Sequence, residues 1–186
     1  MRLILASASP QRRALLASVG IVPDQVAPAA IDESLQPGEQ PQHYVIRMAR
    51  QKALALAPGT DEICLAADTI VVCGRQILGK PFDANEARRF LKRLSGRRHR
   101  VMTAVAVSHD TKNNVRRVAS RVKFRRLSEA DIASYIQSDE WRGKAGGYAI
   151  QGRAAAFIPW ISGSYSAIVG LPLAECMTML WAAGWR

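Results

Sequence analysis

The chain opens with "MRLILASASPQRRALLASVG", residues 1–20, and this stretch decides how the fold starts. Leu3 to Ala6 form a short apolar run that is typical of a buried strand. Ser9-Pro10 predicts a helix start, the apolar positions that follow recur at helical spacing, and Gly20 marks the helix end. A strand followed at once by a helix is a building unit of α/β folds, so the stretch predicts that class.

Further strands pair as hairpins. Residues 63–81, "ICLAADTIVVCGRQILGKP", predict an apolar strand that ends at Asp68 and a second extended pair that turns at Cys73-Gly74. The segments on either side of residues 110–114 predict two more strands joined by a hairpin. Because hairpins occur beside strand–helix units, the sheet is expected to be mixed rather than purely parallel.

Four later segments show helical patterns. They are residues 42–57, 83–96, 128–139 and 172–184. Ser128 and Asp131 open the third of these in the manner of a capping box. Residues 149–165 follow a glycine-rich loop and predict a strand instead. The alternation of strands and helices predicts an α/β fold of one domain, residues 1–186, with two lobes.

The composition suits a globular protein and argues against other classes. Of the 186 residues, 48% are hydrophobic, yet no apolar run is long enough to span a bilayer. No signal peptide precedes the first strand, so we expect a cytoplasmic protein without membrane contact. The cysteines at positions 64, 73 and 176 lack CxxC spacing and predict buried thiols, and the histidines lack zinc-ligand spacing.

The charge balance predicts affinity for anions. The net charge is +11 and the isoelectric point is about 10.3. The arginines are spread over many segments, and no helix-turn-helix pattern or RNA-binding sheet signature accompanies them. Nucleic acid is therefore not the expected partner, and most of the arginine pairs are expected to lie on solvated faces.

Two arginines in the first turn of the first helix point to a phosphate. Arg12 and Arg13 sit where the helix carries partial positive charge, and a cation there costs about 0.3–1 kcal/mol. The free N–H groups of the turn from Ser9 and the two guanidinium groups predict a phosphate site that offsets this cost. The alternative is an ordinary helix start with the arginines exposed. Ser7 and Ser9 lack the partners of a nucleophilic serine, and Ser9 fits a helix cap.

Carboxylates and a lysine suggest a second part of the site. Asp68 follows an apolar run, where a functional carboxylate and an ordinary turn aspartate are equally expected. The loop carboxylate Glu33 is either solvated or a partner of Asp68 around a divalent cation such as magnesium. Lys80 completes a G-x-x-x-x-G-K pattern, but Pro81 stands where a P-loop needs Ser or Thr, so Lys80 is expected to meet an anion only as a point charge.

Several stretches together resemble the Maf-like nucleoside triphosphate pyrophosphatases, nearly from end to end. The stretches that carry the resemblance are "LILASASPQRRALL", "YVIRMARQKA", "AADTIVV", "LGKPFD", "LSGRRHRVMTAVAV", "RGKAGGYAIQG" and "GSYSAIVGLPL". The resemblance implies a Maf/Ham1-like (inosine triphosphatase-like) α/β fold with two lobes and a central cleft. It also implies hydrolysis of the α–β phosphoanhydride of a nucleoside triphosphate, with a divalent metal (Mg, Mn or Co), in a homodimer.

The resemblance implies roles for particular residues. Asp68 would be the general base or would orient the attacking water through the metal, and Glu33 would assist as a metal or water partner. Lys80 would act in catalysis as a cation on the phosphates. The substrate-binding residues implied by the matching motifs are Ser7, Ser9, Gln11, Arg12, Arg13, Lys52, Thr69 and Gln151.

The identity of the base is the least constrained part of the expectation. Thr69 and Gln151 match the branch that cleaves dTTP and UTP, and a glutamine amide suits a pyrimidine edge because it both donates and accepts hydrogen bonds. Gln11 stands where that branch usually has arginine and where the 7-methyl-GTP branch usually has tryptophan. The alternatives are therefore a 7-methyl-GTP pyrophosphatase and, from another class, a basic protein that binds nucleic acid or a septum-forming partner without catalysis.

Overall fold

A computed structural model describes residues 1–56 and 58–186. The strands are β1 (Arg2–Leu5), β2 (Gln25–Val26), β3 (Glu62–Cys73), β4 (Gln76–Leu78), β5 (Arg98–His109), β6 (Lys112–Lys123) and β7 (Trp160–Ser162). The α-helices are α1 (Pro10–Ala17), α2 (Pro41–Leu54), α3 (Ala84–Leu94), α4 (Glu129–Gln137), α5 (Tyr165–Val169) and α6 (Leu173–Ala182). Short 3₁₀ helices cover Ala145–Gly147 and Arg153–Phe157.

The strands form one mixed sheet, as the sequence predicts. Their order is β2-β1-β3-β5-β6-β7, and β4 pairs with β3. Strand β1 runs parallel to β2 and β3, whereas β4 is antiparallel to β3 and β7 is antiparallel to β6. The predicted mixed α/β class is confirmed.

The first strand and helix form for the reasons that the sequence gives. Leu3 and Leu5 are fully buried in β1, and Leu16 is the buried residue of α1. Ser9 caps α1, and its hydroxyl oxygen accepts a hydrogen bond from the backbone N–H of Arg12 at 3.4 Å. Gly20 follows the helix with a φ of +78°, which glycine adopts without steric cost.

Strand β3 corrects one prediction. It continues through Asp68 to Cys73, so the predicted strand end at Asp68 is wrong. The β-branched residues Thr69 and Ile70 favour continued extension, and a hydrogen bond from Lys52 accommodates the buried carboxylate in mid-strand. The hairpin predicted after Cys73 is confirmed, because Cys73 pairs with Gln76 across the turn.

Other boundaries also differ from the sequence-based expectations. The predicted strand over residues 149–165 is wrong except at Trp160–Ser162, because the alanine run at positions 154–156 favours a helical turn. The hairpin between β5 and β6 is tighter than predicted, since β6 already begins at Lys112. Helix α2 ends at Leu54, and the predicted helix end at Ala57 lies outside the described residues.

The chain divides into two compact units, each with its own hydrophobic core. Unit 1 contains Met1–Asp68, Thr103–Val118 and Gly170–Arg186, and unit 2 contains Thr69–Met102 and Ala119–Val169. In unit 1, α1 and α6 pack against apolar residues of the sheet. In unit 2, α3 and α4 pack around Phe124, Tyr135 and Trp141. The single domain of residues 1–186 stays a prediction.

Two further expectations concern membranes and thiols. Within residues 1–56 and 58–186, the helices are too short or too polar to cross a bilayer. Cys64, Cys73 and Cys176 are free and buried, as predicted.

Candidate active site

A buried lysine in unit 1 brings two of the predicted acidic residues together. The Nζ atom of Lys52 donates a hydrogen bond to Oδ1 of Asp68 at 2.6 Å and lies 2.8 Å from Oε1 of Glu33. The side chains of Lys52 and Asp68 are 10% and 11% exposed, whereas that of Glu33 is 46% exposed. One cation thus links a buried carboxylate to a carboxylate that solvent or a substrate can reach.

Helix α2 sets the position of this ion pair. Tyr44 and Lys52 lie eight positions apart on α2, and both side chains reach Glu33. The Tyr44 hydroxyl donates to the backbone carbonyl of Glu33 at 2.8 Å. Arg47 donates to the carbonyl of Ser34 at 3.0 Å and pairs with Glu39 at 2.6 Å. These contacts hold the loop that carries Glu33 against the helix.

The turn before α1 carries the predicted serine and glutamine residues. The Ser9 hydroxyl donates to Oε1 of Gln11 at 3.1 Å, and the backbone N–H of Ser9 donates to the Ser7 hydroxyl oxygen at 3.2 Å. Ser7 is buried, whereas Ser9 and Gln11 are half-buried. These bonds fix the turn at the helix N-terminus, where free N–H groups can meet an anion.

The two arginines of the turn behave differently. Arg12 is half-buried, and it donates from Nε to the carbonyl of Gly170 at 2.9 Å and from Nη1 to the Ser7 hydroxyl oxygen at 2.9 Å. Arg13 is exposed, which is compatible both with a phosphate contact and with an ordinary solvated arginine. Arg12 is therefore held in one orientation, while Arg13 is open to solvent.

The charges of Asp68 and Glu33 act on Arg12 in the turn before α1 and on Tyr44 in α2. Burial lowers the pKa of Arg12, and the charges of Asp68 and Glu33 act in the opposite direction. Burial raises the pKa of Tyr44 to about 12, and the negative charges of Asp68 and Glu33 contribute to this rise. The two carboxylates thus lie close enough to Arg12 and Tyr44 to influence their titration, and Tyr44 stays a neutral donor at neutral pH.

Three predicted site residues belong to unit 2. Lys80 is exposed two residues after β4, and Gln151 is exposed in a turn. Thr69 follows Asp68 in β3 and is half-buried. The sequence groups these three with the unit 1 residues only through the family resemblance.

Backbone contacts within unit 2 position the loop that leads to Gln151. The N–H of Gly146 donates to the carbonyl of Gly79 at 2.9 Å, which ties this loop to the residue before Lys80. Gly146 has a φ of +71°, and a Cβ atom there would lie 2.8 Å from a methyl carbon of Val71. Glycine is therefore required at this position both by the conformation and by the close approach.

Aromatic residues hold the same loop from inside the core of unit 2. The Tyr148 hydroxyl lies 2.7 Å from Nε2 of His99, and the N–H of Ala149 donates to the Tyr135 hydroxyl oxygen at 3.0 Å. The Nδ1 atom of His99 is buried without a partner, and burial lowers the pKa of His99 to about 4. The histidine is thus a neutral structural residue at neutral pH.

Asp68 and Glu33 are the residues that could hold a hard divalent cation of the kind that the resemblance implies. Magnesium is held in proteins by one or two carboxylates together with substrate phosphates. Asp68 and Glu33 offer two carboxylates at one point, and Lys52 lies between them. Across the described part of the chain, three or more His, Cys, Asp or Glu side chains do not gather into a dedicated metal cage.

Sequence reasoning overlooked two contributors. Tyr44 was not singled out from the sequence, and only the fold shows that its hydroxyl holds the backbone carbonyl of Glu33 beside the ion pair. The carbonyl of Gly170 accepts a hydrogen bond from Arg12 across 158 positions of sequence, and no local pattern signals such a contact.

Comparison with known proteins identifies the family. The family model described as "Maf-like protein" matches residues 2–183. A dTTP/UTP pyrophosphatase of Cereibacter sphaeroides is 58% identical over 184 residues, which cover 99% of this chain and 96% of the relative. A protein of the same name from Roseobacter denitrificans is 57% identical over 183 residues, which cover 98% of this chain and 97% of the relative.

One solved structure bears on the fold. A HAM1 protein from Coxiella burnetii is similar with a TM-score of 0.52, over 98% of this chain and 99% of that chain. Because its sequence is 16% identical, the likeness bears on the fold alone, and it agrees with the Ham1-like class predicted from the sequence. The match of the family model along almost the whole chain is decisive: the chain belongs to the Maf-like protein family.

Proposed function

We propose that the protein is a nucleoside triphosphate pyrophosphatase that hydrolyses the α–β phosphoanhydride of dTTP and UTP. The products are the nucleoside monophosphate and pyrophosphate. The observation that carries the proposal is the buried Lys52–Asp68 pair with Glu33 beside it. It occurs in a chain more than half identical, over almost all of its length, to proteins named dTTP/UTP pyrophosphatase.

Asp68 is the general base of this proposal. Lys52 donates to Oδ1 at 2.6 Å, and the other oxygen, Oδ2, would accept a hydrogen bond from the attacking water molecule. As that water attacks the α-phosphorus, its proton passes to Asp68, and the bond from the α-phosphorus to the bridging oxygen breaks. Pyrophosphate leaves with the electron pair of the broken bond.

Cations of the site bind and neutralise the phosphates. Arg12 is held by Gly170 and Ser7, so its orientation is set before the substrate arrives. Arg13, Lys52 and Lys80 supply further positive charge. A phosphoryl transition state spreads charge over its oxygens, so fixed cations stabilise it more than the ground state.

The helix start contributes backbone donors. The first turn of α1 begins at Ser9, whose hydroxyl caps the helix, and Ser7 lies in the same turn. Free N–H groups at a helix N-terminus bind phosphate oxygens. In this proposal the turn holds one phosphate of the substrate while Arg12 and Arg13 flank it.

A divalent cation fits the same carboxylates. Asp68 and Glu33 would hold Mg, Mn or Co together with the substrate phosphates. When bound, such an ion neutralises phosphate charge and activates water as a nucleophile. Lys52, which contacts both carboxylates in the structure, would limit their mutual repulsion.

Base selection is assigned to Thr69, Gln151 and Gln11. The Gln151 amide both donates and accepts hydrogen bonds, which matches the edge of thymine or uracil. Gln11 is fixed by the Ser9 hydroxyl at 3.1 Å and takes the position where arginine is usual in the dTTP and UTP branch. The 7-methyl-GTP specificity is the alternative that the same assay tests.

Product analysis on a nucleotide panel tests the proposal. The panel contains dTTP, UTP, CTP, their 5-methyl forms, GTP and 7-methyl-GTP, each with Mg, Mn or Co. Pyrophosphate release from dTTP and UTP is the expected result. A preference for 7-methyl-GTP would overturn the base assignment but keep the reaction. Orthophosphate as the product, or no turnover of any triphosphate, would contradict the proposal and favour a basic binding protein without catalysis.

Assembly and location extend the proposal. We infer a homodimer and a cytoplasmic location, where nucleoside triphosphates are made and used, with residues 1–186 acting as one domain. Light scattering tests the dimer, which predicts twice the 20.4 kDa mass of the chain. A single cooperative unfolding transition is the result expected for one domain, and two separate transitions would contradict it.

A further inference from the structure

The positive charge of the protein is concentrated in unit 2. Unit 2 contains 16 lysines and arginines but only 6 aspartates and glutamates, whereas unit 1 contains 10 and 9. Almost all of the net charge of +11 therefore belongs to unit 2. This imbalance is not visible as a run of residues, because the cations are spread along the sequence.

The fold gathers four of these cations on one face of the sheet. Side chains alternate between the two faces of a strand. In β5, His99 and Val101 are buried against the core of unit 2, while Arg98 and Arg100 are exposed on the opposite side. At the end of β6, Val122 and the following residue Phe124 belong to the same core, and the exposed residues of the strand there are Arg121 and Lys123.

A tryptophan lies on the same face. In the register of β6 with β7, Lys123 pairs with Trp160, so the two side chains point the same way. Trp160 is 41% exposed, and the guanidinium carbon of Arg98 lies 5.2 Å from its ring centre. We name Arg98, Arg100, Arg121, Lys123 and Trp160 the basic face.

Acidic residues elsewhere in unit 2 do not neutralise the basic face. Glu129 pairs with Arg88 and Lys92, and Asp131 pairs with Arg125. Asp139 and Glu140 pair with Arg142 and Arg153, outside the strands. Within residues 1–56 and 58–186, none of the four cations of the basic face forms an ion pair. Their charge is therefore available to an anionic partner.

We propose that the basic face binds single-stranded nucleic acid. The four cations would contact successive phosphates, and the exposed ring of Trp160 would stack with a base. A duplex hides the faces of its bases, so an exposed ring favours a single strand. A second copy of this chain would present the same positive charge and be repelled. The basic face shares no residue with the proposed active site, so this binding is independent of the pyrophosphatase activity.

Fluorescence anisotropy with labelled 12-nucleotide oligo-dT and oligo-U tests the proposal on the full chain. The Arg121→Ala/Lys123→Ala variant should bind at least about tenfold more weakly and should reduce the salt slope by about 1.4. The matched control is Arg89→Ala/Arg93→Ala, which removes two exposed charges from α3, on the other side of the same core. The control should lose no more than about twofold in affinity. Whichever of oligo-dT and oligo-U binds more tightly identifies DNA or RNA as the preferred partner.

A second pair of variants tests the stacking contact. Trp160→Leu should weaken binding about fivefold or more, whereas Trp181→Leu, an exposed tryptophan of unit 1, should not. Pyrophosphate release from dTTP should be unchanged in every variant. Absence of oligonucleotide binding at 50 mM salt, or equal weakening by the α3 control, would overturn the proposal. Equal competition by polyglutamate with no effect of Trp160→Leu would also overturn it.

Discussion

The ammonium nitrogen of Lys52 lies 2.6 Å from the carboxylate of Asp68 and 2.8 Å from that of Glu33. The two acids therefore depend on one shared cation. Because Lys52 and Asp68 are both nearly buried, the loss of Lys52 leaves the Asp68 carboxylate without its paired cation, and the loss of Asp68 leaves Lys52 with only the more exposed Glu33. This dependence links the stability of unit 1 to the residues that we assign to catalysis.

The Lys52→Met variant should destabilise the protein by about 3 kcal/mol, because it leaves the buried Asp68 carboxylate unpaired. The double variant Lys52→Met/Asp68→Asn should recover part of that loss, since it removes both charges. Urea unfolding measures both values. Arg50→Met, an exposed cation on the same helix, is the control and should change stability by less than about 0.5 kcal/mol. No recovery in the double variant would mean that Lys52 acts through packing alone.

Arg12→Lys should impair substrate binding more than Arg13→Lys. A lysine cannot contact both Gly170 and Ser7 with the planar geometry of the Arg12 guanidinium group. We expect KM for dTTP to rise at least about tenfold in Arg12→Lys and less than about threefold in Arg13→Lys. Steady-state kinetics on the two variants decides the matter. Equal effects would show that the fixed orientation of Arg12 does not contribute.

The buried His99 should make stability depend on pH. Burial lowers its pKa from 6.5 to about 4, so the unfolded chain binds more protons than the folded one between these values. The contribution of His99 to the free energy of unfolding is fully present above pH 6.5. It falls by about 3 kcal/mol as the pH drops from 6.5 to about 4. Burial raises the pKa of the neighbouring Tyr148, so that phenol stays neutral throughout.

Urea unfolding at pH 7 and pH 4.5 compares three proteins. His99→Gln, which keeps a polar partner for Tyr148, should lose most of the pH dependence that the wild type shows. His43→Gln, at an exposed position on α2, should retain it. An unchanged slope in His99→Gln would show that other groups cause the acid sensitivity.

Gly146→Ala should destabilise unit 2 through a clash. The new Cβ would approach a methyl carbon of Val71 to 2.8 Å at a φ of +71°, and we expect a loss of at least about 2 kcal/mol. Gly74→Ala has a similar φ of +64° but open space around it, so it should lose only about 1 kcal/mol. Chemical denaturation of both variants separates the clash from the backbone strain. Equal losses would contradict the steric explanation.

The sequence predicted local structure best where one segment contains its own signals. The Ser9 cap, the capping box of Ser128 and Asp131, and the turn after Cys73 all formed as expected, because each depends on residues a few positions apart. Asp68 was misplaced for the opposite reason. A charged residue in an apolar run indicates a strand end, and only the distant Lys52 explains why β3 continues through it.

The candidate site shows the same difference between what local sequence signals predict and what only the fold reveals. The first helical turn pointed to Arg12 and the resemblance to Lys52, but the contact from Arg12 to Gly170 and the hydrogen bond from Tyr44 to the carbonyl of Glu33 depend on the folded chain. The basic face is the clearest example. Its residues belong to three strands, and only the alternation and register of those strands bring them to one side.

The most direct test of the account compares dTTP hydrolysis by the wild type with that of Asp68→Asn. Asparagine keeps the size of the side chain but cannot accept the proton of the attacking water. Asp61→Asn, an exposed carboxylate just before β3, is the matched control. We expect Asp68→Asn to bind dTTP with little change yet to release pyrophosphate at least about 1000-fold more slowly, while the control keeps full activity. Pyrophosphate release by Asp68→Asn within about tenfold of the wild type would contradict the role of Asp68 as the base.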